Sequence, residues 1–186
     1  MNPRIPLSNL FLLLLLFPVI VFSQVGSAET QVNIVINQVQ SIQVSQPSVN
    51  INMNQASHFL SGNSSGQLAN HVKVISSAGY QVTAKASTQY FSLNGSVTTL
   101  PVNTIVLKTN IGSDLSNTNT APPGGLMVVP QTTVTTTAKT IITSPTGEYG
   151  RGYNVEYSIP AAQTPAYLNR TPGAYTTTLV YTLVPQ

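Results

Sequence analysis

The stretch Ala174-Tyr175-Thr176-Thr177-Thr178-Leu179-Val180-Tyr181-Thr182-Leu183-Val184, opened by Thr171-Pro172-Gly173 and closed by Pro185, decides the fold. Tyr175, Thr177, Leu179, Tyr181 and Leu183 share one face, and Thr176, Thr178, Val180, Thr182 and Val184 share the other, which is the period of a pleated strand. Nearly every side chain in it is β-branched or aromatic, suited to a half-buried sheet and poorly suited to a helix. The run reads as a long core strand to which earlier strands pair.

Working back from it, the same alternation recurs. Tyr153, Val155, Tyr157 and Ile159 share a face, and Thr132 to Thr143 is Thr-rich and alternating. Leu126 to Val129 is a short strand stopped by Pro130, and Thr104 to Lys108 is another. Leu68 to Ser76 and Tyr80 to Ala86 flank Ser77-Ala78-Gly79, which predicts a hairpin. Val49, Ile51 and Met53 alternate with asparagines after Pro47, and Gln31 to Ser45 changes phase near Asn37 to Val39, as two strands or one bulged strand would. Asn94-Gly95 is a turn dipeptide, and Gly150-Arg151-Gly152 suits a bulge or turn. Gln55 to Gly66 and Asn110 to Gly125 read as loops. Some eight to ten short strands, with no helical spacing beyond the N-terminal block, predict an all-β chain: a two-sheet antiparallel β-sandwich of immunoglobulin-like or Greek-key type, with a jelly roll as its near neighbour.

At the other end, Arg4 precedes an apolar block from Leu10 to Phe22, broken by Pro18 and followed by Ser23, Gly26, Ser27 and Ala28. These are the parts of a secretory signal peptide over residues 1–28, with cleavage after Ser23 or Ala28, and the block falls short of the ~20 residues of a spanning helix. The expectation is a single sandwich domain over residues 29–186, with 31–45 as an extending strand, exported to the cell surface or periplasm and without a membrane span once the leader is removed.

Charged residues make up 6% of the chain, against roughly 25% in ordinary soluble domains. Beyond the leader, six bases stand singly against four acids, so the clustered footprint that neutralises several phosphates is missing and nucleic acid is not an expected partner. With no cysteine, disulfides, thiolate metal sites and a cysteine nucleophile are excluded. Glu148 and Glu156 are the one close acid pair, and Glu156 alternates with tyrosines toward solvent; His58 and His71 are both expected in solvent. Asp114 with Asn117 and Asn119 offers a single carboxylate, a poor hard-cation site, so no metal and no cofactor is expected. The tyrosines at 80, 153, 157, 175 and 181 suit core packing better than sugar stacking. Sequons stand at Asn63, Asn94 and Asn169. No catalytic constellation emerges, and the chain reads as a non-enzyme.

Two resemblances carry that reading further. Val72-Lys73-Val74, Ala78-Gly79-Tyr80-Gln81-Val82-Thr83-Ala84, Pro101 to Leu107 and the closing Pro172 to Leu183 resemble bacterial WxL-type cell-surface domains, although Tyr181 stands where the defining Trp would be. That resemblance implies a wall or envelope partner, with Tyr181 and Leu183 as the surface-ligand contact. The layout is also similar to cysteine-free fimbrial subunits, in which the first strand of one subunit completes the sandwich of the next; here Val32, Ile34 and Ile36 would be the donor residues. The expected role is thus a cell-surface structural or adhesion module. The alternatives are a polymerising fimbrial subunit that self-associates by strand addition, or a carbohydrate-binding module using the Asn110 to Gly125 loop and exposed tyrosines.

Overall fold

A 13-residue strand, Glu148–Pro160, runs through the middle of the largest of three sheets, with Tyr153, Val155, Tyr157 and Ile159 turned into the core. The computed structural model describes residues 26–116 and 120–186; the expected leader lies outside these up to residue 25. Two units are distinguished, residues 1–36 and 37–186. In the first, residues 26–36 carry no regular secondary structure.

The second unit contains, in order, β1 (Gln40–Val44), the short helix α1 (Ala56–Ser61), β2 (Gly62–Ser64), β3 (Leu68–Ser76), β4 (Tyr80–Ala86), β5 (Tyr90–Leu93), β6 (Ser96–Pro101), β7 (Val106–Asp114), β8 (Met127–Val128), β9 (Gln131–Thr133), β10 (Lys139–Ser144), β11 (Glu148–Pro160), β12 (Tyr175–Thr176) and β13 (Leu179–Pro185). Single 3-10 segments cover Val102–Thr104 and Ala161–Tyr167. The first sheet has the order β1-β3-β11-β7-β9, with β2 pairing β11 beyond the end of β3; the second has β13-β4-β10-β8. A small third sheet, β12-β5-β6, carries the Asn94-Gly95 turn, whose residues have φ of 50° and 82° as a two-residue hairpin loop requires. All pairings are antiparallel, so the all-β sandwich class is as expected. Among the described residues, no helix is long and apolar enough to cross a membrane.

The sheets are joined at one flank by a single step of chain. Val129 donates its N–H to Ile141 of the second sheet, while the carbonyl of Pro130 already accepts from Thr109 of the first. Proline suits that position because it has no N–H to leave unpaired.

Several expectations are corrected. Ser77-Ala78-Gly79 is not a hairpin: β3 and β4 have the expected bounds but belong to different sheets. Val72, Val74 and Ser76 point at the core from one layer and Tyr80, Val82, Ala84 and Ala86 from the other, so the link is an arch that brings two apolar faces together. Ser77 is held in that arch by Val39, which accepts from its N–H and donates to its Oγ. The closing run is not one central strand. It splits at Thr177-Thr178 into β12 and β13, and β13 is an edge. Val49, Ile51 and Met53 pack against the core without forming a strand, and Gln55 to Gly66 holds α1 and β2 instead of only loop. Only the end of the 31–45 stretch, β1, is a strand.

His71 is not in solvent but 1% exposed. Asn70 has φ of 49°, and the register slips between Tyr153 and Val155 of β11. This bulge ends the simple alternation of β3, so adjacent His71 and Val72 are both buried. Asn70 holds the bulge: its N–H donates to Asn154 Oδ1 at 2.8 Å and its Oδ1 accepts from Ser113 N at 2.8 Å. Its side chain occupies the space that a Cβ on Gly112 or Gly152 would fill. Gly152→Ala should therefore destabilise the fold by about 1–3 kcal/mol in urea unfolding. Adding Asn70→Ala should cost less than the two single effects summed, because the two nearest clashing atoms, Oδ1 and Cγ, are then gone; strict additivity would contradict this account of the bulge.

Candidate functional site

Three features qualify as sites: a polar seam inside the sandwich, an open edge beside it, and a cavity at one end. The seam is built from tyrosines on the inward faces of strands in opposite sheets. Tyr153 of β11 meets Tyr80 of β4, hydroxyl to hydroxyl at 2.5 Å, with both residues fully buried. Four residues on, Tyr157 of β11 meets Tyr181 of β13 at 2.7 Å, and His71 Nε2 lies 2.9 Å from the Tyr157 oxygen. The imidazole stands edge-on to both rings, at centroid distances of 5.7 and 6.5 Å. Burial raises the phenol pKa values, to about 12 for Tyr80 and upward also for Tyr153, Tyr157 and Tyr181. Burial lowers that of His71. At neutral pH these groups are uncharged, and the two hydroxyl pairs bridge the layers.

The open edge is β13. Its even-numbered residues exchange main-chain hydrogen bonds with β4, as Thr178 and Gln186 do at its two ends with Ser87 and Gly79. The peptide groups of Leu179, Tyr181 and Leu183 consequently point away from β4. No described strand pairs there, though β1, the terminal strand of the other sheet, lies close by. The side chains of Tyr181 and Leu183, the expected surface-ligand contacts, are half-buried against the core, and what they offer outward is backbone. In residues 26–36 the expected donor residues Val32, Ile34 and Ile36 are 77%, 80% and 86% exposed, and Val35 between them is 82% exposed.

The cavity, about 320 Å³, is lined by Asp114, Thr120, Pro123, Glu148, Tyr149 and Arg151 among others. Arg151 Nε donates to Glu148 Oε2 at 2.6 Å, a pair with side chains only 5% and 6% exposed, and an Arg151 terminal nitrogen donates to Thr120 O. Tyr149, 88% exposed, stands at the rim and was not singled out by sequence, since its neighbours supply no apolar alternation. Glu148 and Glu156 do not converge: Glu156 is held by Lys108 at 2.9 Å on β7. Asp114 accepts from Ser116 and Thr120. Asn117 and Asn119, the other candidate calcium ligands, lie outside the described residues, and no group of three metal-ligating side chains occurs among those described. His58 is half-buried on α1, not in open solvent. Of the sequons, Asn63 spends its amide on Asn52 O, and Asn94 and Asn169 sit at positive φ.

Compared with models of known protein families the chain matches none, and no curated protein matches it.

Tyr153→Phe removes the Tyr80 hydroxyl's partner in the opposite sheet, and should cost about 1–3 kcal/mol in urea unfolding, while the double variant with Tyr80→Phe should cost less than the two single effects summed. The pH dependence follows from the raised phenol values. The unfolded chain loses its tyrosine protons near pH 10 while the folded chain keeps them. Stability should be intact below that point and fall as pH rises through about 12, the value for Tyr80. Tyrosinate absorbance that develops fully near pH 10 before any unfolding would contradict the seam.

Proposed function

We propose that the chain is an exported, non-enzymatic structural or adhesion module of a cell surface, joined to its neighbours by strand addition. The observation that carries this reading is the pairing of two incomplete features. Residues 32–36 present four exposed aliphatic side chains without strand partners, and β13 presents an unpaired row of peptide groups above a half-buried row of Leu179, Tyr181 and Leu183. A strand laid on that edge gains main-chain hydrogen bonds, and Val32, Ile34 and Ile36 have the two-residue spacing to match Leu179, Tyr181 and Leu183. Burying three such side chains contributes about 1.5–3 kcal/mol each before ordering costs. An exposed edge is a liability in a solitary protein and an asset in an assembly. The N-terminal leader pattern and the scarcity of charge support an extracellular or periplasmic setting, with envelope components or other surface proteins as partners.

A second reading, a saccharide-binding module, is favoured by the cavity with Tyr149 at its rim. Binding on a glycan array that is lost in Tyr149→Ala would support it, and silence across a broad array would remove it.

For the leading reading, the leaderless chain should run as a ladder of oligomers in gel filtration and light scattering. Ile34→Asp and Ile36→Asp should each collapse it to folded monomer without changing the circular dichroism. A strictly monomeric parent chain, or oligomers indifferent to both substitutions, would refute it.

A further inference from the structure

We propose that His71, Tyr157 and Tyr181 form an acid-sensitive latch on the C-terminal edge strand: protonation of the His71 ring releases β13 from the sandwich while the strands around β11 stay in place. This inference does not depend on the strand-addition reading.

His71 is on β3 in the first sheet, Tyr157 on β11 of that sheet, and Tyr181 on β13 of the second, so the chain from Nε2 through the two hydroxyls is a side-chain bridge between β13 and the opposite layer. Nε2 has its partner in Tyr157. Nδ1 is buried and has none. A neutral imidazole fits this arrangement with Nε2–H donating to Tyr157 and an unprotonated Nδ1, the less costly of the two groups to leave unpaired. An imidazolium does not fit: its second N–H has no acceptor, and the charge has no anion beside it.

The titratable groups that face the ring are the two phenols, Tyr157 from β11 and Tyr181 from β13, both neutral. β1 meets His71 through Ser45, whose N–H donates to the His71 carbonyl, and the strand carries no charged residue. Lys73 is two positions along β3, Lys85 is exposed on β4, and Glu156, next to Tyr157, is taken up by Lys108. None of these is bonded to the ring. Burial accordingly depresses the His71 pKa below its ordinary 6.5.

The sign follows. In the unfolded or released state the ring takes its proton near 6.5, and in the latched state only at lower pH, so the latch is fully effective above 6.5 and is lost as pH falls through the lowered value. The part that yields is β13, because among the described residues it pairs with a single strand, β4. The central strands keep partners on both sides, and the Tyr80–Tyr153 bridge, with the Arg151-paired Glu148 carboxylate beside it, does not include His71.

Hydrogen exchange of the full chain read by mass spectrometry, at about pH 7.5 and about pH 4.5 and corrected for intrinsic rates, tests this directly. Peptides covering Leu179–Gln186 should lose protection by about tenfold or more at the lower pH, while those from β3 and β11 keep theirs. In His71→Gln, whose side-chain amide does not titrate, the acid response of β13 should vanish. Should that variant fail to fold, Tyr181→Phe removes the bridge instead, and it should loosen β13 already at the higher pH and flatten the difference between the two. Equal β13 protection at both pH values in the parent chain overturns the latch. So does simultaneous loss of protection everywhere, or an acid response that survives His71→Gln.

Discussion

A buried hydroxyl must find a partner, and two tyrosine hydroxyls of β11 find theirs in the other sheet. Tyr153 and Tyr157 project from one strand four residues apart and close on Tyr80 and Tyr181 across the core. Aliphatic packing alone would let two sheets slide over one another at modest cost, because its attraction has no direction. Two phenol pairs do have direction, and an unpaired one is expensive in a dry interior. The relative position of the layers therefore rests on β11. The apolar surround of Val72, Val74, Val82, Leu107, Ile141 and Ile142 supplies the bulk of the burial.

That construction explains how a chain with no disulfide and few charges holds an ordered interior, and it also divides the molecule into a firm part and a looser part. The strands beside β11 have neighbours on both sides. Among the described residues β13 pairs with one strand and has a tyrosine bridge, and residues 26–36 carry no regular structure at all. The features that can meet another molecule are those the core leaves incomplete: an open row of peptide groups, an aliphatic run in the N-terminal unit, and a cavity closed at its base by the Arg151–Glu148 pair.

How much of this was legible in the sequence depends on the range of the forces involved. The bounds of β3 and β4 and the shared face of Leu179, Tyr181 and Leu183 follow from local alternation and agree with the structure, whereas the direction of that face, toward the core, does not follow from it. Alternation reports which face is buried and says nothing of how many neighbours a strand has, so an edge strand looked like a central one. The same limit turned an arch into an expected hairpin, since both put apolar residues on matching faces. His71 was misplaced because its bulge is made by residues distant in the chain, Ser113 and Asn154 binding Asn70 and two glycines leaving room for it. The tyrosines were correctly read as packing residues, but their partners, 24 and 73 positions away, leave no local trace. The exposed triplet Val32, Ile34 and Ile36 was visible as an apolar alternation; that it belongs to no described strand was not.

The central claim is that the N-terminal run of one copy lies along β13 of another. The absence of native cysteine makes disulfide trapping clean. Leu183→Cys, combined in one leaderless chain with Ile36→Cys for a parallel or Val32→Cys for an antiparallel register and oxidised mildly, should yield a ladder of covalent multimers with one of the two partners, while any of these substitutions alone yields at most a dimer. Quantitative cross-linking within a single copy, or no cross-linking at all, would contradict the account.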